Sequence, residues 1–327
     1  MKLATLKSKN NKDGELVVVS SDNQFYVSAR EVTSSLLSAF ENWNDIEPKL
    51  KKIFQDLNAG KILDQIKITD QNIFLSVLPR TWLFADGSAF IHHIKLVRQA
   101  RKAPLPETIL TVPLMYQAES GMFLSPLDSI PQVDFAHGTD FEAEVGVIVD
   151  HVPMGVSAAE ALKHIKLIVI LNDVTLRGLI PAELANGFGF FQSKPNKTLS
   201  PYAVTPDELG DSWKDGRVHL PLNVKYNDQF FGKANAGEMH FHFGELVAHA
   251  AKTRPLAAGS LIGSGTVSNE NPDVGSSCLV EKRMIEQISN GEMKTPFMKI
   301  GDSVHIQMLD SKGHDIFGVI HQKVAQA

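Results

Sequence analysis

One stretch of the chain, DFEAEVGVIV at residues 140–149, places acidic residues between apolar ones and then becomes wholly apolar. Side chains alternate between the two faces of a strand, so Glu142 and Glu144 share one face with their Cα atoms about 7 Å apart. Such a pair could bind one cation, or it could form the solvent-facing side of an ordinary strand. Buried like charges are costly unless a cation or a proton neutralises them. The apolar surroundings therefore favour a metal site on a β-strand.

A second apolar stretch, LIVILND at residues 167–173, predicts a strand that is buried on both faces. It delivers Asp173 at its C-terminal end, where binding groups are often presented. Asn172 and Asp173 could instead cap the following turn. Arg177, four residues further on, offers a planar fork of donors for a substrate carboxylate or for Asp173 itself.

Short β-rich runs alternate with turn signals from about residue 80 onward. These runs lie at 145–149, 165–171, 220–226, 260–267, 303–308 and 316–324. Helical patterns interrupt them at 91–103, 158–165 and 243–253. We therefore predict an α+β domain, mainly β, over residues 78–327.

Residues 1–77 have a different sequence pattern from the rest of the chain, and this pattern predicts a small N-terminal α/β domain. The alternating run at 15–19 indicates a strand, and apolar residues at helical spacing across 29–58 indicate a helix with one buried face. The apolar run at 73–79 is interpreted as the entry strand of the main domain.

The composition excludes several classes of function. The 327 residues include 32 Lys and Arg against 37 Asp and Glu, a net charge of −5, which gives no electrostatic footprint for nucleic acid or an anionic membrane. No apolar stretch is long enough to cross a bilayer, and the basic start lacks the apolar segment of an export signal. A single cysteine, Cys278, excludes an intrachain disulfide and a thiolate zinc cluster and indicates a cytoplasmic protein. Any metal should be a hard cation bound by oxygen.

A Gly-containing turn at residues 85–88 precedes two histidines, His92 and His93. Asp86 could bind a metal there, and His93, about two helical turns later, could lie over the same site. Alternatively, Asp86 is an ordinary turn residue and the histidines lie on the surface.

The loop GFGFFQSKPNKT at residues 187–198 is not a phosphate-binding loop, because its glycine spacing and Lys-Thr order are wrong. Lys194 could be desolvated there and directed at developing negative charge, or it could be a solvated loop lysine. The run at 262–269 lacks the third glycine of a dinucleotide site, and no nucleophile elbow occurs around it. Neither a Rossmann dehydrogenase nor a serine hydrolase is supported.

Taken in order, these segments resemble the fumarylacetoacetate hydrolase family from about Leu78 to the end of the chain. The shared features are an Asp-containing turn followed by His, a Phe-Glu-x-Glu strand, an apolar strand ending in Asn-Asp with Arg four residues later, Lys-x-x-x-Thr before Ser-Pro, and Gly-Thr-Val-Ser. Each feature is weak alone, but five in order are specific. The resemblance implies the family's β-roll, which usually forms a homodimer.

The resemblance also implies roles for individual residues. It implies a divalent cation, Mg²⁺ first with Ca²⁺ or Mn²⁺ as alternatives, and four carboxylate ligands: Asp86, Glu142, Glu144 and Asp173. It assigns catalysis to three residues, with His93 activating water, Glu281 orienting His93 and Lys194 steadying an oxyanion. The expected substrate contacts are Arg177, Thr198, Thr266 and Tyr116.

The activity that the resemblance implies is hydrolysis of a carbon-carbon bond in a β-diketone acid of the fumarylacetoacetate or acylpyruvate type. Decarboxylation of a β-keto acid, isomerisation and dehydration on the same scaffold are the alternatives, as is a non-catalytic protein that binds keto acids. The chain has Ser88, Ile180 and Leu184 where fumarylacetoacetase has an aromatic residue, a glutamine and a tyrosine that grip its diacid. These departures favour a different substrate within the family.

Overall fold

Strands dominate the computed structural model, which describes residues 1–100 and 104–327. The strands are β1 (Lys2–Leu6), β2 (Glu15–Val19), β3 (Phe25–Ser28), β4 (Ile66–Lys67), β5 (Phe84–Gly87), β6 (Met115–Ala118), β7 (Ile130–Gln132), β8 (Thr139–Asp140), β9 (Ala143–Val149), β10 (Ile165–Asn172), β11 (Thr175–Leu176), β12 (Thr198–Leu199), β13 (Tyr202–Val204), β14 (Trp213–Lys214), β15 (Arg217–Val218), β16 (Pro221–Tyr226), β17 (Gln229–Asn235), β18 (Ser260–Gly263), β19 (Ser303–Met308) and β20 (Ile320–Gln326). The prediction of a mainly β, α+β protein is confirmed.

The helices are α1 (Leu36–Glu41), α2 (Trp43–Asn58), α3 (Ile91–Ala100), α4 (Ala158–Ala161), α5 (Ile180–Asn186), α6 (Phe243–Ala250) and α7 (Leu279–Asn290). The single helical tract predicted at 29–58 forms two helices, because the chain bends at Asn42. The helix predicted at 91–103 is present as α3, and residues 101–103 lie outside the described residues. The helix predicted at 158–165 is shorter, because Ile165 already belongs to β10. None of the helices in the described ranges has both the length and the apolarity to cross a membrane.

A mixed sheet forms the frame of the molecule, with the strand order β4-β3-β2-β1-β13-β10-β9-β18-β5-β6, and β12 also pairs with β10. Its central strands β9 and β10 are buried along nearly their whole length. Both faces are covered because a second sheet, β17-β16-β19-β20-β7, packs on one side and helices α1 and α2 pack on the other. This double cover explains why residues 167–171 are uniformly apolar.

The N-terminal segment adds strands to that same frame. Strand β1 pairs with β13, so Leu3 lies opposite Ala203, and β13 in turn pairs with β10. The strand predicted at 73–79 is not formed. Strand β13 pairs with β1 only at Lys2–Ala4. The short edge that remains gives this segment one bridge, between Leu6 and Phe74, and isolated bonds such as that from the Leu75 N–H to the Thr5 carbonyl. A domain boundary at residue 77 remains a prediction.

Candidate metal and catalytic site

Three strands bring acidic side chains to one end of the main sheet, in which β18 lies between β9 and β5. Asp86 lies on β5, Glu144 on β9, and Asp173 directly follows β10. Gly263 on β18 lies opposite Asp86 in parallel register, and a Cβ at that position would come within 2.2 Å of the Asp86 Oδ1 atom. Glycine is therefore required there to leave room for the carboxylate.

The three carboxylates form one buried cluster, in which an oxygen atom from each lies within 4.8 Å of the others. Burial, reinforced by the charge of Asp173, raises the pKa of Asp86 to about 8. Burial and the charge of Asp86 also raise the pKa of Glu144 well above its usual value. Both oxygens of Glu144 lack a hydrogen-bond partner within the described part of the chain. A buried carboxylate without a partner is costly, and a bound cation would satisfy it.

Two lysines hold Asp173 from opposite sides. Its Oδ2 atom accepts hydrogen bonds from the Tyr116 hydroxyl at 2.9 Å and from Lys194 Nζ at 2.5 Å. Its Oδ1 atom forms an ion pair with Lys197 Nζ at 2.6 Å, and that ammonium also donates to the Val174 carbonyl at 2.9 Å. Burial lowers the pKa of Lys197, although Asp173 acts in the opposite direction. The orientation of Asp173 is therefore fixed before any metal binds.

Glu142 has both oxygens engaged by cations. Lys194 Nζ lies 2.7 Å from Oε2, and Arg177 Nη2 lies 2.5 Å from Oε1. Burial alone would raise the pKa of Glu142, but Arg177 and Lys194 outweigh it and hold that pKa well below its usual value. The Nε atom of Arg177 donates to Asp140 at 2.9 Å, and Asp140 also accepts the Leu279 N–H. Arg177 thus links two buried carboxylates, and its role toward a substrate remains a prediction.

The histidine and glutamate predicted to act together are in direct contact. His93 Nδ1 lies 2.8 Å from Glu281 Oε2. His93 lies on α3 and Glu281 in the first turn of α7, and these two helices pack against each other. A His93 ring nitrogen and a Glu142 oxygen also fall within 4.8 Å of each other, which brings the pair next to the carboxylates.

A cavity of about 290 Å³ connects these groups with solvent. Most of the predicted site residues line it: Asp86, His93, Tyr116, Glu142, Glu144, Arg177, Lys194 and Thr266. Asp173 and Glu281 are buried behind the wall and touch residues that line it. Thr198 is buried on β12 opposite Asn172 and does not line the cavity, so its predicted substrate contact remains a prediction.

Two residues of this cluster were not singled out from the sequence. Lys197 stands three residues after Lys194 in the same loop, and only its full burial shows that it serves Asp173. Asp140 opens the acidic strand, but nothing local indicates that it anchors Arg177 and the start of α7.

The residues present fit a hard divalent cation. The orphaned oxygens of Glu144 point to a missing partner, and every candidate donor in the three-carboxylate cluster is oxygen. Leaving aside Glu281, which pairs with His93, the four predicted ligands and Asp140 form a set of five buried carboxylates, and Lys194, Lys197 and Arg177 contact members of this set. Two formal negative charges remain, which a divalent ion would balance.

Comparisons with known proteins define the class. The family model described as the C-terminal domain of fumarylacetoacetate hydrolase matches residues 83–325, and that of fumarylacetoacetase N-terminal domain 2 matches residues 1–80. The chain therefore belongs to the fumarylacetoacetate hydrolase family. This confirms the resemblance noted in the sequence.

Two curated relatives have different activities in their names. The chain is 26% identical over 166 residues to 2,4-didehydro-3-deoxy-L-rhamnonate hydrolase of Sphingomonas sp. strain SKA58, which covers 50% of this chain and 54% of the relative. It is 21% identical over 241 residues to mitochondrial oxaloacetate tautomerase of Homo sapiens, which covers 69% and 72%. The chain thus spans about half the length of the first relative.

Solved structures share the fold over the whole chain. Maleylpyruvate hydrolase of Sphingobium sp. SYK-6, in complex with manganese(II) and pyruvate, superimposes with a TM-score of 0.67 at 16% identity, covering 100% of both chains. Fumarylacetoacetate hydrolase of Exiguobacterium antarcticum also has a TM-score of 0.67, at 15% identity and with full coverage of both chains. The named members of the family thus include hydrolases and a tautomerase, and one of the structures holds a divalent metal.

Proposed function

We propose that this chain hydrolyses a carbon-carbon bond in a β-diketone acid of the acylpyruvate type. The observation that carries the proposal is the His93–Glu281 pair beside the carboxylate cluster, in one cavity that opens to solvent. A general base next to a cation site is what hydration of a carbonyl needs.

The proposed cation ligands are Asp86, Glu144 and Asp173, with Glu142 next to them. A divalent ion bound there would polarise the substrate carbonyl and help to bind the keto acid. Mg²⁺ is the first choice because all candidate ligands are oxygen, and the manganese held by the Sphingobium structure makes Mn²⁺ a reasonable alternative.

His93 acts as the base in this proposal. When the Nδ1–H of His93 donates a hydrogen bond to Glu281, the Nε2 atom is left free to take a proton from water. The water oxygen then bonds to the acyl carbonyl carbon, and the bond from that carbon to the methylene carbon of the pyruvate fragment breaks. The electron pair leaves on the pyruvate fragment as an enolate, which takes the proton back from His93 to give pyruvate, and the other fragment leaves as a carboxylic acid.

Lys194 is placed to stabilise the negative charge that develops. Its ammonium lies at the cavity wall between Glu142 and Asp173, and these carboxylates raise the pKa of Lys194 despite its burial, which keeps it charged. Its three N–H groups already donate to Glu142, Asp173 and the Thr175 hydroxyl, so Lys194 would stabilise the developing charge as a nearby positive charge rather than as a free donor.

The test is a product analysis with acetylpyruvate and oxaloacetate, each with Mg²⁺ or Mn²⁺ and with EDTA. The proposal expects pyruvate and acetate in equal amounts from acetylpyruvate, and no turnover with EDTA. Enol and keto forms that interconvert without fragments would instead identify a tautomerase or isomerase. Carbon dioxide from oxaloacetate would identify a decarboxylase, and inactivity on all substrates would favour a binding protein.

A further inference from the structure

The cavity has two unlike ends. The carboxylates, Lys194 and His93 form the inner end described above. The rest of the described lining consists largely of apolar side chains, contributed by α3, by α5 and the segment after it, and by the strand β6 region. A ligand that binds its keto acid at the inner end must place its remaining atoms among these side chains.

Helix α5 supplies one wall of the outer end. Ile180 and Leu184 lie one turn apart and so share a face of the helix. Ile180 is buried, whereas Leu184 is 48% exposed at the mouth. The helix ends at Gly187, whose positive φ of 75° lets the chain turn, and Phe190 then lines the cavity. The wall is therefore apolar from the interior to the solvent.

Two aromatic rings mark the border between the ends. Tyr116 and Phe190 pack edge to face with their centroids 5.2 Å apart. Lys194 Nζ lies 5.2 Å from the Tyr116 ring and 6.0 Å from the Phe190 ring. Because this ammonium also binds Glu142 and Asp173, the two rings lie next to the polar end of the cavity.

Helix α3 supplies the opposite wall with Ile94 and Val97. Arg98 also lines this side, but its Nη1 atom donates to the Pro104 carbonyl at 3.1 Å. The other N–H groups of Arg98 remain available, but a substrate carboxylate that does not reach them would give up water and meet mainly carbon, which is unfavourable, whereas a buried methylene contributes about 0.8 kcal/mol.

We propose that the substrate carries an extended apolar acyl chain and that Ile180, Leu184 and Phe190 determine this preference. The inference rests on the proposed function, because it concerns the distal end of the same substrate. Acylpyruvates with alkyl chains should therefore be cleaved more efficiently than short ones or than those that end in a second carboxylate.

The experiment measures kcat/KM for acetyl-, butanoyl- and hexanoylpyruvate, and for adipoylpyruvate, which is hexanoylpyruvate with a carboxyl in place of its terminal methyl. We expect kcat/KM to rise about fourfold per added methylene, as 0.8 kcal/mol converts. We also expect hexanoylpyruvate to exceed adipoylpyruvate at least tenfold. A flat series, or a preference for adipoylpyruvate that Arg98→Gln removes, would overturn the inference.

Leu184→Gln places a polar group at the mouth without disturbing a buried position. It should lower the ratio of hexanoyl- to acetylpyruvate kcat/KM by about tenfold, mostly through KM. Leu63→Gln changes a leucine that is 98% exposed in the N-terminal segment and should keep the wild-type ratio. An unchanged ratio in Leu184→Gln would show that Leu184 does not determine the preference for apolar acyl chains.

A binding measurement separates this inference from the proposed function. Calorimetric titration with straight-chain 2-oxo acids of four to eight carbons, in the presence of Mn²⁺, needs no turnover. Affinity that increases with chain length, in a protein that cleaves no acylpyruvate, would contradict the proposed reaction and support the apolar subsite. Affinity independent of chain length would overturn the subsite even if acetylpyruvate is cleaved.

Discussion

The Nζ atom of Lys197 lies 2.6 Å from the Oδ1 atom of Asp173, and both side chains are fully buried. Lys194 and Tyr116 hold the other oxygen of the same carboxylate. Lys197 does not line the cavity, so its ammonium is a structural counterion whose effect on the site passes through Asp173.

Replacing Lys197 by Met should therefore destabilise the fold. The variant keeps the length of the side chain but leaves one oxygen of a buried carboxylate without its cation. Removing one partner of a buried ion pair costs about 3–5 kcal/mol, and we expect about 3 kcal/mol because Lys194 still compensates part of the charge. Urea denaturation of the metal-free protein measures this.

Lys52→Met is the matched control for that loss. Lys52 forms a 2.5 Å ion pair with Asp56, but its side chain is 66% exposed. Exposed pairs contribute about 0.5 kcal/mol, so this variant should unfold close to the wild-type midpoint. If Lys197→Met lost as little stability as Lys52→Met, the Lys197–Asp173 ion pair would not contribute to the stability of the fold.

His93→Ala should lower turnover at least 100-fold, since general-base catalysis typically contributes about 10²–10⁴. Its affinity for Mn²⁺ should stay within about twofold of wild type, because no ligand of the carboxylate cluster is removed. Steady-state kinetics with acetylpyruvate and calorimetric metal titration give the two readouts. His92→Ala, on the same helix but facing a different surface cavity, should retain wild-type turnover. Undiminished turnover in His93→Ala would refute its role as the base.

Glu144→Gln keeps the shape of the side chain and removes its charge. Residues one step removed from a metal typically change affinity 10–100-fold, so loss of a direct ligand should weaken Mn²⁺ binding by about 100-fold or more. Glu160→Gln, at an exposed glutamate paired with Lys163, should bind Mn²⁺ like the wild type. Equal Mn²⁺ affinity in both variants would show that Glu144 is not a ligand of the cation.

Gly263→Ala tests the carboxylate cluster as a cation site without replacing any of the proposed ligands. The added methyl would meet the Asp86 carboxylate at 2.2 Å, so Asp86 must move and Mn²⁺ affinity should fall at least tenfold. Gly121→Ala, where the nearest atom is the end of the Glu119 side chain, should have no effect on the metal. Wild-type affinity in Gly263→Ala would show that the Asp86 position tolerates displacement.

The buried Lys2, which lies far from the site, predicts that folding stability depends on pH. Burial lowers the pKa of Lys2 from its usual 10.5 to about 8. Between these values the unfolded chain holds a proton that the folded one has released, so folding stability rises with pH. Relative to Lys2→Met, the wild type should gain about 2–3 kcal/mol between pH 7.5 and pH 10. Urea midpoints of the two proteins over this range measure it, and parallel curves would contradict the shift.

The strands that carry the site were predictable because their patterns are local. Glu144 and Asp173 lie where the alternation at 140–149 and the apolar run at 167–173 place them. The contact of Lys197 with Asp173 was not predictable, because a charged loop residue gives no sign of its own burial. The error at 73–79 has a similar cause: an apolar run shows that a segment is buried, but not how long a free strand edge it will meet.

The pairing of β1 with β13 makes the N-terminal segment part of the scaffold that holds Asp173. A truncated protein that lacks residues 1–77 would expose the apolar strand edge of β13 and the surface of β10 that α1 and α2 cover. Such a protein would tend to aggregate. The slowest-exchanging amides of β1 and β10 should therefore exchange together, in a single global opening of the whole chain.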